Sequence, residues 1–193
     1  IDLERPARPP SFAAATREAL SQATLELFEK LGEIHSVADE IAGHAARIAA
    51  KRVRYLAEPV SPWIAAALGP IDLLKELQDL LGELHDGQLL AALVGQALAE
   101  LESKRAQQLI EATLEGPEGL ARAAAPSRRR ERAGLIAVAR QLGARRNELF
   151  ETLAREWLGE NAPARTALIE RLAELDQSLA APPRRRPNPA RAR

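Results

Sequence analysis

Apolar residues recur along most of the chain at the three- and four-residue spacing of helices, and no segment alternates apolar and polar residues as a half-buried strand does. Ser11 and Ser36 are candidate N-caps of the first two helices. Glycine and proline divide the rest of the pattern, which predicts helices over 11–31, 36–57, a short turn at 63–68, 71–84, 88–114, 128–158 and from Pro163 to about Leu179. We therefore expect an all-α bundle of about six helices.

Two breaks separate the central predicted helices. Gly69-Pro70 is expected to end the short turn, and Asp86 most simply caps the helix that starts at residue 88. Asp86 and its neighbour His85 are alternatively an acid–base pair.

Proline-rich segments flank the helical region. Residues 1–10 are predicted to form a linker, 11–181 a helical domain, and 182–193 a basic, low-complexity tail without fixed structure. Within the domain, 116–127 is predicted to be a loop-like connection. No apolar run approaches the roughly 18 residues of a membrane span, so no membrane partner is expected.

Composition narrows the class of function. The chain has 193 residues, 27 of them basic and 27 acidic, and its net charge of zero argues against a uniformly basic nucleic-acid binder. It has no cysteine, which excludes disulfides, thiolate zinc sites and thiol catalysis. It has no methionine either, which indicates a fragment, a processed chain or a sequence from which methionine positions are missing.

The segment GHAARIAAKRVRYLAEP, residues 43–59, concentrates positive charge. On a helical wheel His44, Arg47, Lys51 and Arg54 lie within about 80° of one another, opposite a small apolar face. From residue 43 to residue 57 there are four cations and no acid, whereas a solvated face usually interleaves both signs. This row, about 10 Å from Arg47 to Arg54, suits an extended polyanion. Alternatively it is a solvated face or pairs with acids on another helix.

A second segment, 73–86, repeats the same spacing. Lys75, Gln78, Gly82 and His85 lie away from its stripe of leucines, at the i, i+3, i+7, i+10 intervals of the basic row. Gly82 costs up to about 1 kcal/mol relative to Ala inside a helix. We therefore expect close approach of a ligand or another backbone there, or a helix-packing glycine.

A third candidate lies in the last long helix. Arg145 and Arg146 fall on either side of an apolar stripe, where buried unpaired charge would be costly. They either pair with Glu148 or with acids on another helix, or they take part in binding an anion.

Together these segments resemble the CHAD family (conserved histidine α-helical domain). Residues 44–58 carry its pattern H-x-x-R-x-x-x-K-R-x-R-Y-x-x-E throughout, and residues 74–86 are close to its later pattern L-K-x-L-Q-x-x-L-G-x-x-H-D. The family is usually built from two similar helical halves. Because the helix at 11–31 lacks the pattern, the chain resembles mainly the second half.

The resemblance implies a helical bundle whose basic groove binds inorganic polyphosphate. It also implies a bacterial, cytoplasmic binding module, associated with polyphosphate granules, with no catalytic residue, metal or cofactor. The residues assigned to polyphosphate are His44, Arg47, Lys51, Arg52, Arg54, Tyr55, Lys75, His85, Arg145 and Arg146.

Two other classes of function remain open. An enzyme acting on phosphoanhydrides would need a metal site or a nucleophile, and the sequence has no P-loop, H-E-x-x-H or carboxylate-rich metal motif. The other class is a helical interaction scaffold or a nucleic-acid binder. An aromatic content of 3% disfavours the stacking that binds single strands, and no recognised DNA-binding motif occurs. The basic tail could still bind RNA nonspecifically.

Overall fold

The computed structural model describes residues 11–119 and 127–181, and helices account for most of both ranges. No strand occurs in either range, so the predicted all-α class is confirmed. The long helices are α1 (Phe12–Gly32), α2 (Glu40–Ala57), α3 (Leu68–Leu114), α4 (Ser127–Glu156) and α5 (Pro163–Ala180), with 3₁₀ turns at Glu58–Val60 and Ala65–Ala67.

The ends of the chain and one connection are only partly covered. The predicted linker 1–10 and tail 182–193 lie outside the described residues. Of the predicted connection 116–127, residues 117–119 are helical and residues 120–126 lie outside the described part. Among the helices that are described, none combines the length and apolar character needed to cross a bilayer.

The helix starts test the capping predictions. The Ser11 hydroxyl accepts a hydrogen bond from the Ala14 N–H at 3.2 Å, which confirms the N-cap of α1. Ser36 does not cap α2, because α2 begins only after Asp39. The Asp39 carboxylate instead accepts the backbone N–H groups of His35 and Ser36, each at 2.8 Å. These bonds hold the pKa of Asp39 below its usual range and close the α1–α2 loop.

α3 is one helix of 47 residues, about 70 Å long, where the sequence predicted two breaks. Gly69 and Pro70 lie in its first turn, where the missing proline N–H has no helical acceptor to lose. Asp86 lies in mid-helix, so its predicted role as an N-cap is wrong. Next to it, Gly87 packs under the side chain of Arg146 on α4. Packing between helices therefore overrides the local break signal.

The hydrophobic core lies between α1, α2, α5, the first half of α3 and the end of α4. Alanines form the buried face of α2, which lets its backbone lie close to its neighbours. The largest fully buried side chains are Leu27, Leu31, Val53, Pro70, Leu74, Leu77, Leu153, Leu168 and Leu175. The main core cluster includes no described residue of α3 after Leu84 and none of α4 before Phe150, although Ala112 and Leu149 are also buried. There the two helices pair with each other as an arm.

Candidate functional site

Two rows of side chains face each other where α2 packs on α3. The rings of His44 and His85 lie 5.6 Å apart between centroids. One turn further along, the Arg47 guanidinium lies beside Gly82. We call the eight facing residues the α2–α3 seam: His44, Arg47, Lys51 and Arg54 on α2, and Lys75, Gln78, Gly82 and His85 on α3.

The seam follows one antiparallel register along both helices. Because the two rows have the same intervals, the register that joins the histidines also aligns Lys51 with Gln78. At the far end it aligns Arg54 with Lys75. From His44 to Arg54 the seam extends about 15 Å along the α2 axis. The interval that the two sequence segments share is therefore a pairing in three dimensions.

Gly82 makes room for Arg47. A Cβ at position 82 would lie 3.6 Å from Arg47 Nε and 3.9 Å from Nη2, so the guanidinium passes directly over the glycine. The group that approaches is a side chain of α2 and not a backbone. Gly82 is thus a helix-packing glycine, the second of the two interpretations that the sequence allowed.

Three seam residues hold buried N–H donors that have no acceptor in the described protein: Arg47 Nε, Arg54 Nε and Gln78 Nε2. Gln78 was expected to lie away from the apolar stripe, but it is buried, with 7% of its surface exposed. A buried donor without an acceptor costs about 1–3 kcal/mol. The seam therefore holds hydrogen-bond donors that the described part of the protein leaves unused.

The middle of the seam carries positive charge without acidic partners. Neither Arg47 nor Lys51 has a hydrogen-bond or ion-pair partner among the described residues. At the far end, Arg54 pairs with Glu58 at 2.7 Å, and Lys75 has an acid of its own helix at 3.3 Å. Pairing with acids on another helix, one of the alternatives for the basic segment, is therefore not found for Arg47, Lys51 or Arg54 among the described residues, and it is found for Arg52 alone of the four cations.

Two residues of the basic segment lie outside the seam. Arg52 points towards α1, where its Nη1 donates to the Glu26 carboxylate at 2.7 Å. Tyr55 is exposed on the outer face of α2, and the Arg54 guanidinium lies over its ring, 4.8 Å from the centroid. Tyr55 therefore contacts the seam only through Arg54, and Arg52 does not join it.

α4 brings one of its two candidate arginines close to the seam. Arg145 donates to Glu83 of α3 at 2.7 Å, so it pairs with an acid on another helix, and that pair raises its pKa. Arg146 packs over Gly87, and its Nη2 donates to the backbone carbonyl of Val37 at 3.0 Å. The Nε of Arg146 is a further buried donor without an acceptor. Arg146 thus ties α4 to the α1–α2 loop beside the histidine end of the seam.

A cavity of about 30 Å³ lies behind the two histidines, room for about one water molecule. His44, His85 and Gln88 provide polar groups to it, and Leu81, Leu84, Phe150 and Leu153 are among its apolar walls. His85 and Asp86 do not form the acid–base pair considered above, because adjacent helical side chains diverge and no hydrogen bond joins these two. In the described ranges, no three His, Asp or Glu side chains cluster as metal ligands would.

Sequence reasoning missed two contributors to this region. Gln78 belongs to the second segment, but it was not among the residues assigned to polyphosphate. Its place at the repeated i, i+3, i+7, i+10 interval could have indicated it. The Val37 carbonyl accepts from both Arg146 and Gln88, at 3.0 and 3.4 Å. A backbone acceptor leaves no mark in the sequence, because every residue type carries one.

Comparison with known families bears on the seam as a whole. Residues 2–95 match the family model of the CHAD domain. The predicted resemblance is therefore confirmed over the first part of the chain. All eight seam residues lie within the CHAD match, whereas Arg145 and Arg146 lie beyond it. No curated protein and no solved structure matches the chain significantly.

Proposed function

We propose that this protein binds linear inorganic polyphosphate along the α2–α3 seam, without catalysing a reaction on it. The observation that carries the proposal is the set of buried N–H donors without acceptors, next to the unpaired charges of Arg47 and Lys51. A phosphate oxyanion supplies acceptors and negative charge and needs no acceptor from the protein. The CHAD domain supports the same ligand, since that family is associated with polyphosphate.

The length of the seam supports an extended anion over a compact one. Groups that converge on one point suit a single phosphate, whereas the seam spreads its donors over about 15 Å. A chain of linked phosphates can contact successive turns of both helices at once. Arg can grip two phosphate oxygens, while Lys acts as a point charge. Binding of this kind would also retain the protein on polyphosphate granules.

The first test compares cations on the same helix. Arg47→Gln and Lys51→Gln should each weaken binding of long-chain polyphosphate about tenfold, because each removes a charge-assisted contact. Arg52→Gln removes the same charge from the face that contacts α1, and it should change the affinity by less than about twofold. The double charge reversal Arg47→Glu, Lys51→Glu should abolish binding while far-UV circular dichroism remains that of the parent protein.

The salt dependence of the affinity distinguishes contacts in the seam from the positive charge elsewhere on the protein. Each phosphate neutralised on a flexible polyanion contributes about −0.7 to the slope of log K against log salt. The slope should therefore become shallower by about 0.7 in Arg47→Gln and stay unchanged in Arg52→Gln. If calorimetry finds equal losses of affinity for the two variants, the seam is not the binding site.

A separate assay tests whether the protein cleaves polyphosphate. Long-chain polyphosphate incubated with the protein and Mg²⁺ or Mn²⁺ should keep its length on a polyacrylamide gel. Progressive shortening that depends on the protein would show that the phosphoanhydride-processing alternative is correct. Loss of that shortening in the Arg47→Glu, Lys51→Glu variant would then place the reaction at the seam.

A further inference from the structure

The histidine end of the seam places two ionisable rings against each other. The centroids of His44 and His85 are 5.6 Å apart and the ring planes are inclined by 42°, so the rings are neighbours without being stacked. His44 is exposed and His85 is partly buried. Neither imidazole has a hydrogen-bond acceptor among the described residues. Their N–H groups are therefore available to a ligand.

Charged groups of both signs surround this pair. On α2, Glu40 lies one turn before His44 and Arg47 lies one turn after it. Asp39 from the α1–α2 loop borders the same cavity as both rings, and its carboxylate already holds two backbone N–H groups. From the remaining elements come Asp86 next to His85 on α3 and Arg146 on α4.

A bound anion changes the electrostatic interaction between the two rings. A neutral imidazole offers one N–H donor and one lone pair, whereas an imidazolium offers two donors. Two imidazolium charges at this distance repel each other when no anion is present. A phosphate bound beside the pair attracts both charges and accepts from both rings. A bound anion therefore offsets the repulsion between the two positively charged rings.

We propose that polyphosphate binding at the seam is coupled to proton uptake by the His44–His85 pair, so that the protein binds polyphosphate more tightly at pH 6 than at pH 8. This inference rests on the proposed function and adds its regulation. The internal phosphates of a long chain remain ionised throughout this range, so the change in affinity would come from the protein. The protons come from solvent and return to it when the polyphosphate is released.

Calorimetry with long-chain polyphosphate tests the coupling. The affinity should rise about tenfold from pH 8 to pH 6 as two charge-assisted contacts form. Titrations at pH 7 in two buffers with different ionisation enthalpies should show net proton uptake by the protein. The double variant His44→Gln, His85→Gln should bind with the same affinity at pH 6 and at pH 8 and should take up no protons. His35→Gln is the matched control, because His35 is exposed and lies outside the seam.

The outcomes separate this inference from the function it rests on. No binding at either pH would overturn the proposed function itself. Binding at pH 8 with no increase at pH 6, or a pH effect retained in the double variant, would overturn only the proton coupling. If the double variant does not fold, imidazole resonances of the parent protein, which has three histidines, give the answer directly. Polyphosphate should then raise the pH at which two of the three imidazole resonances titrate and leave the third unchanged. The third should be the resonance of His35, which is identified by its absence from the His35→Gln variant.

Discussion

Three glycines of α3 provide a test of the packing that builds the seam. Gly82, Gly87 and Gly95 all lie inside one helix, where replacing glycine with alanine is worth about 0.8–1.0 kcal/mol. They differ only in what an added methyl group meets. At Gly95 nothing lies within 4 Å. Gly95→Ala should therefore give the full gain in the free energy of unfolding, which for a chain of this size is an increase in Tm of about 2–4 °C.

At the other two positions the new methyl group meets an arginine. At Gly82 it would lie 3.6 Å from Arg47 Nε, an ordinary contact distance, so Gly82→Ala should gain nearly as much as Gly95→Ala. At Gly87 it would lie 3.1 Å from Arg146 Cγ, which is too close for most carbon contacts. Arg146 cannot move freely, because its guanidinium is bonded to the Val37 carbonyl. Gly87→Ala should therefore gain clearly less, and its gain should be near zero.

Denaturant unfolding followed by far-UV circular dichroism measures these differences. The fluorescence of Trp157, which is 3% exposed, provides a second probe of the core. Polyphosphate affinity should be unchanged in Gly82→Ala and reduced in Gly82→Leu, whose larger side chain displaces Arg47. A gain for Gly87→Ala equal to that for Gly95→Ala would refute the packing of Arg146. A loss of stability in Gly82→Ala would show that Arg47 is held more tightly than the structure indicates.

Two further predictions concern the fold as a whole. Leu27→Ala should lower the free energy of unfolding by about 2–5 kcal/mol, because Leu27 is fully buried and its removal leaves a cavity; denaturant unfolding without a comparable loss would contradict this core. Both Asp176 oxygens accept from Arg17, at 2.6 and 2.7 Å, and this pair holds the pKa of Asp176 below its usual range. Its contribution to stability is therefore present above about pH 4 and is lost as the pH falls through the lowered pKa, so Asp176→Asn should be less stable than the parent protein at pH 7 and nearly equal to it at pH 2. Unfolding curves with the same difference at both pH values would contradict the role of this pair.

Much of the local structure could be predicted from periodicity. The all-α class, the extent of α1, the approximate extents of α4 and α5 and the basic face of α2 follow from the spacing of apolar residues. Helix boundaries were less predictable where a polar side chain forms a hydrogen bond other than the expected capping bond. Asp39 bonds the backbone of the loop before it, so α2 begins four residues later than Ser36 suggested. The break predicted at Asp86 is absent, and the glycine that follows Asp86 packs against Arg146 of α4.

The candidate site, like the fold, has features that the sequence predicts and features that depend on tertiary packing. The sequence by itself determined which residue types stand at which intervals on α2 and α3, because helical geometry converts spacing into a common face. Only the tertiary structure decided that the two rows meet, that Arg47 lies over Gly82, and that Gln78 is buried between the helices. It also directed Arg52 to α1 and Arg145 to Glu83, away from the seam. The physical reason is that a row of charges on a helix has no partner until another helix packs against it, and packing depends on the whole core.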